Sequence, residues 1–120
     1  MWTMSEPVYS MSRVATGPTL YIAGQVPTAV DGSVSEDAAA QTEVVLAKIA
    51  AILAEHGVGW PAVVKLTYYL CDIDDLAAVR AVLGRTLPTP RPAATLVAIT
   101  DLVDPRFLIE IDAVADLGAE

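Results

Sequence analysis

The sequence predicts an α+β fold of order ββαβαββ, one sheet with two helices on one face. Three observations predict it. Residues 63–70, 95–100 and 107–115 are apolar, β-branched runs of strand length. The stretches before the first and second of these runs carry apolar residues at helical spacing. Strand–helix–strand passages cross right-handed, which sets both helices on the same side of the sheet.

The elements follow in order. Residues 1–8 read as a loose start to a single domain spanning 1–120. Residues 9–14 read as an edge strand, 16–19 (Thr-Gly-Pro-Thr) as a turn and 20–23 as the next strand, together a hairpin. Gly24 ends that strand, and Pro27 with Asp31-Gly32 marks a loop. A long helix follows, capped by Ser35 or Ser33, with Glu36 and Asp37 in its first turn. Ala38, Thr42, Val45, Ile49, Ile52 and Leu53 form its apolar stripe, and Gly57 stops it after His56. In the strand 63–70, Val64, Leu66, Tyr68 and Leu70 point one way, and Val63, Lys65, Thr67 and Tyr69 the other. Asp72 to Asp75 is an acidic helix start, and Leu76, Val79, Val82 and Leu83 are the buried stripe behind it. Residues 88–92 (Pro-Thr-Pro-Arg-Pro) are an extended linker, because proline excludes helix there.

Composition narrows the function. Seven basic against fifteen acidic residues give a net charge of -8, which offers no basic footprint for nucleic acid or an anionic membrane. One cysteine excludes an internal disulfide, and one histidine excludes a His-pair metal site. No cofactor or metal is expected. The first ten residues lack the basic and long apolar regions of a signal peptide, and no apolar run is long enough to span a bilayer, so a cytoplasmic location is expected. A hydrophobic fraction of 54% with mean hydropathy +0.50 exceeds what so small a core needs, and the excess reads as subunit interface.

The last strand holds the chemical anomaly. Phe107, Ile109, Ile111 and Ala113 take one side, and Leu108, Glu110, Asp112 and Val114 the other. Glu110 therefore sits between two isoleucines, where a carboxylate needs a partner, water or a chemical role. One reading is structural, with Glu110 paired across strands to Lys65 or bonded to main chain. The other is catalytic.

Pro92-Ala93-Ala94-Thr95 before a strand, then Ile109-Glu110-Ile111-Asp112-Ala113, resembles the C-terminal half of the Rid (reactive intermediate deaminase, YjgF-type) family. Gly24-Gln25-Val26-Pro27 resembles its N-terminal signature, and Val63-Val64-Lys65-Leu66-Thr67 with Leu70 and Asp72 its middle. The resemblance implies a chorismate-mutase-like homotrimer with small-molecule clefts between subunits. It implies Glu110 as the residue that guides the attacking water, and Tyr9, Gln25, Ala94, Thr95 and Leu96 as cleft residues. It also exposes a departure. The family's deaminases carry an arginine, gripping a substrate carboxylate, where this chain has Ala94. Losing such a pair weakens binding by about 2–5 kcal/mol, so a 2-imino acid is expected to bind poorly. Arg91, Arg106 and Arg13 are the arginines weighed as substitutes, with plain surface charge as the alternative reading for each. The expectation is therefore an imine or enamine hydrolase of altered specificity, or a non-catalytic trimer that binds a ligand or protein.

Other features carry less. Gln25 reads equally as a tie within its own loop. Cys71 lacks a nearby base, and Asp72 and Asp74 oppose its ionisation. Trp60, before Pro61, reads as a packing plug.

Overall fold

A computed structural model describes residues 7–118. The loose start expected for residues 1–8 lies mostly outside that range; Val8, inside it, packs against the core.

The elements are β1 (Thr19–Gln25), α1 (Ala38–Glu55), β2 (Val63–Leu70), α2 (Leu76–Thr86), β3 (Ala93–Ala98) and β4 (Ile109–Asp116). They form one four-stranded mixed sheet in the order β1-β4-β2-β3, with β2 and β3 parallel and the other pairs antiparallel. Parallel β2 and β3 need a crossover, and α2 supplies it. Val45, Ile49 and Leu53 of α1 join Val79, Val82 and Leu83 of α2 in one buried cluster with Leu66, Tyr68, Leu70, Ile109 and Ile111. Both helices thus cover one face, as the periodicity predicts. Trp60 packs against the edge of this cluster from the short turn that leads into β2.

The predicted first hairpin does not form. Residues 9–14 make no strand, and Ser10 bridges Ala93 in parallel at the opposite edge of the sheet from β1. The physical reason lies in the expected turn. The backbone amides of Thr16 and Gly17 donate to the carboxylate of Asp116, at 2.8 and 2.9 Å, so they are not free to close a hairpin. β1 takes its partner from β4 instead. The order is therefore βαβαββ with a bridge in place of the first strand.

Two boundaries also move. Asp37, not Ser33 or Ser35, caps α1, accepting from the Ala40 amide, while Ser33 bonds Asp31 and Ser35 accepts from the Asp37 amide. β3 begins at Ala93 rather than 95, because its pairing with β2 starts at Lys65, and it ends where β2 ends at Leu70. Gly57 terminates α1 as expected, with φ of +73° that favours glycine.

Candidate functional site

The sheet's open face is built in rows by strand register. Val97, Tyr69 and Glu110 lie side by side across β3, β2 and β4, and Thr95, Thr67 and Asp112 form the next row. Lys65 lies one row further, beside Ala93 and Val114. Glu110 is thus two rows from Lys65, which donates to Thr67 Oγ1 at 3.4 Å instead. No hydrogen bond or ion pair joins the Glu110 side chain to any described residue, so the expected structural pairing with Lys65 is not observed. Its neighbour Tyr69 donates to Asp112 Oδ2 at 3.0 Å, and that bond, with the adjacent negative charge, raises the phenol's pKa.

Glu110 has its own seat. The pairing of β1 with β4 slips between Ile22 and Gln25, a bulge that re-aims the strand and sets Gly24 against the Glu110 side chain. A Cβ on Gly24 would stand 2.8 Å from Glu110 Cδ and 3.1 Å from Cγ. The missing side chain is what admits the carboxylate. The loop after β1 is fixed from α1, where Lys48 Nζ donates to Val26 O at 2.7 Å. Gln25 Nε2 donates to Ala23 O at 2.9 Å, a tie within its own segment.

Tyr9, Ala94 and Leu96 meet elsewhere. Ala94 and Leu96 align with Leu66 and Tyr68 and so face the helices. With Tyr9, Val8, Tyr68, Arg80 and Leu83 they line a cavity of about 110 Å³. Thr95 points to the open face and is exposed. β3 and β4 flank β2, so Thr95 and Glu110 are roughly 10 Å apart. One copy of the chain therefore gathers Tyr9, Ala94 and Leu96, gathers Gly24 and Glu110, and does not bring the two groups together.

The three arginines weighed as substitutes are engaged elsewhere. Arg106 makes a two-pronged pair with Asp104, at 2.9 and 3.1 Å. Arg13 donates to the Pro90 carbonyl at 3.1 Å. Arg91 reaches the Pro7 and Gly84 carbonyls, both at 3.4 Å, with its Nε buried and without a partner among the described residues. Arg80 of α2 lines the cavity with Ala94. Sequence reasoning missed it because only the packing of α2 beside β3 brings the two together.

Two polar anchors were also missed. Gln41, wholly buried in α1, donates to Ser35 O (2.7 Å) and Arg106 O (2.9 Å) and accepts from the Leu108 amide (2.8 Å). It sets the entry to β4 two residues before Glu110. Asp116, 2% exposed, accepts from Thr16, Gly17 and Gly118 amides, and the Thr16 bond foremost holds its carboxyl below the usual range. Cys71 is partly buried, which pushes its thiol pKa up, with Asp101 adding to the shift. The acidic turn after β2 is structural, since Asp72 caps it by accepting from the Asp74 amide at 2.9 Å. No group of three or more potential metal ligands occurs among the described residues. Nor is any helix there long and apolar enough to cross a membrane.

The fold and these residues have relatives. The family model described as Endoribonuclease L-PSP matches residues 3–117. The chain belongs to this family, the Rid or YjgF-type proteins. It is 34% identical over 113 residues to the mitochondrial protein mmf1 of Schizosaccharomyces pombe, covering 89% of this chain and 67% of mmf1. It is 35% identical to the protein DfrA of Myxococcus xanthus, covering 91% and 84%. Among solved structures it superposes on a conserved Rid family protein of Yersinia pestis with TM-score 0.82 and 33% identity, covering 91% and 86%. RidA of an Antarctic Psychrobacter follows with TM-score 0.79 and 31% identity, covering 92% and 89%.

Proposed function

We propose that this chain is a small-molecule hydrolase of imine-like compounds, with specificity altered from the arginine-bearing deaminases and with clefts completed by neighbouring copies of itself. The observation that carries the reading is Glu110. It is a half-buried carboxylate on a strand, seated over a glycine, and no partner among the described residues explains its retention. In the reaction, Glu110 takes a proton from water as the hydroxyl adds to the carbon of C=N. The nitrogen gains a proton, and the resulting carbinolamine loses ammonia to leave C=O. Water supplies the oxygen, and ammonia carries away the nitrogen. Relatives named RidA support this chemistry.

Assembly follows from the open face. Tyr21 is 78% and Val97 38% exposed, in rows shared with Val114, Tyr69 and Glu110. Covering such a surface with identical copies buries it and sets residues of a neighbouring copy against Glu110. A homotrimer is the expected assembly, with a light-scattering mass three times the 12.6 kDa chain. The net charge of -8 speaks against an RNA substrate despite the family description.

The direct test is turnover of small imines and enamines by wild type and Glu110→Gln. Loss of general-base help is expected to slow turnover by about 100-fold or more. Unchanged turnover overturns the catalytic role. A second reading, a non-catalytic binding trimer, is favoured by Ala94 and Leu96, which present apolar walls to one cavity. It predicts saturable ligand binding with no turnover in either protein.

A further inference from the structure

Two carboxylates stand on the open face of β4, and the fold turns them apart. Glu110 and Asp112 alternate to the same side of the strand, about 7 Å from one another along it. β4 lies between β1 and β2. The Glu110 carboxylate leans towards β1, into the space over Gly24. The Asp112 carboxylate leans the other way, because the Tyr69 hydroxyl of β2 donates to its Oδ2 at 3.0 Å. Tyr69 is also the register partner of Glu110, so one phenol stands beside the first acid and ties down the second. The Asp112 bond foremost raises the phenol's pKa, with the Glu110 charge adding to it, so the hydroxyl remains a donor through the neutral range. The sheet does not need this tie, since β2 and β4 are already paired along their main chains from Val63 to Leu70.

We infer that Tyr69 is a positioning residue for the proposed reaction: by holding Asp112 towards β2 it leaves Glu110 as the single carboxylate that meets the water. The reason is electrostatic. Two like charges close together oppose each other's ionisation, and a general base must be ionised to accept a proton. An Asp112 released from Tyr69 is free to swing along the strand towards Glu110 and to oppose its ionisation. The other titratable groups near this face are Tyr21 on β1, Lys65 on β2, Cys71 just after it and Asp116 at the far end of β4; β3 brings only the uncharged Thr95 and Val97. The tie therefore decides which of two neighbouring acids works. The inference rests on the proposed function in taking Glu110 as the base, and it adds the residue that keeps that base alone.

The experiment is an NMR pH titration of the full chain, read at the Gly24 amide, against which the Glu110 carboxylate is seated. The same curve for Glu110→Gln identifies the step that belongs to Glu110. Tyr69→Phe removes the hydroxyl and keeps the ring. Its step is expected about half a pH unit above the wild-type step, the scale of one charge brought nearer in a solvated setting. Adding Asp112→Asn to Tyr69→Phe is expected to return the step to the wild-type position or below, since the amide carries no charge. Asp112→Asn alone is expected to move the step less than Tyr69→Phe does, because the tied charge already faces away. An unmoved step in Tyr69→Phe, a shift that persists in the double variant, a larger shift from Asp112→Asn alone, or no Glu110-dependent step at Gly24 each overturns the inference. These curves need no turnover. The acid limb of kcat/KM for imine hydrolysis is expected to follow the same order. Unchanged turnover in Glu110→Gln sinks the base role and leaves the titrations standing, so the failure of one idea is distinguishable from the failure of the other.

Discussion

The carboxylate of Glu110 occupies the space that a side chain on Gly24 would fill, 2.8 Å from Cδ to the position of the absent Cβ. The two residues are therefore coupled. Gly24→Ala forces the acid or the bulge to move, and such overpacking costs about 1–3 kcal/mol. In a Glu110→Ala background the same substitution meets an open space and costs less. Denaturant unfolding of the two single variants and the double variant gives the coupling energy. Additive effects would mean that the two side chains do not share this space.

Gln41 predicts a different kind of loss. Gln41→Leu keeps the apolar stripe of α1 but leaves the Leu108 amide and the Ser35 and Arg106 carbonyls without their partner. An unsatisfied buried group costs about 1–3 kcal/mol, so urea midpoints fall accordingly. Because Leu108 leads into β4, amide exchange at Leu108 and Ile109 accelerates more than at β2.

Acid stability depends on Asp116. Its folded pKa lies below the unfolded value near 3.8, so it contributes stability above that value and loses the contribution as pH falls through the folded pKa. The window is the acid range below about pH 4. Asp75 works in the opposite sense, since burial, foremost, and nearby carboxylates raise its pKa; its contribution improves as pH falls through the raised value. Thermal unfolding between pH 7 and pH 3 should show a steeper fall for wild type than for Asp116→Asn. The variant should also be less stable than wild type at pH 7.

Cys71 is expected to be a slow nucleophile. Its raised pKa leaves little thiolate at pH 8, so iodoacetamide modifies it more slowly than free cysteine under the same conditions. Faster modification would indicate an activating neighbour.

Turnover of 2-aminoacrylate and 2-iminopropanoate is expected to be far below that of an arginine-bearing relative. A steady-state assay of both proteins side by side checks it. The Arg80 guanidinium comes from α2, so it does not restore the geometry of an arginine on β3 at position 94.

Much of this was legible in one dimension. The alternation along 63–70 and 107–115 placed Lys65, Thr67, Tyr69, Glu110 and Asp112 on one face, because side-chain direction in a strand is fixed by parity. The helix stripes were legible for the same kind of reason, apart from Gln41. A polar residue on an apolar stripe reads as outward-facing until its three backbone partners, distant in sequence, are known. Residues 9–14 had the composition of a strand, but composition does not say which edge accepts them. The carboxylate of Asp116, a hundred residues from Thr16, decided that. Arg80 was illegible as a wall of the Ala94 cavity because Tyr68 and Ala94, which line it too, belong to other elements.

One wall of the Ala94 cavity, Val8 and Tyr9, belongs to a short strap moored to the β3 approach by Ser10 at Pro92 and by Arg13 at Pro90. None of these four residues pairs within β1, β2 or β4. One wall of the cavity and the sheet that seats Glu110 thus lie in separable parts of the chain. Substitutions in the strap could reshape that wall while the scaffold that holds Glu110 over Gly24 is inherited untouched.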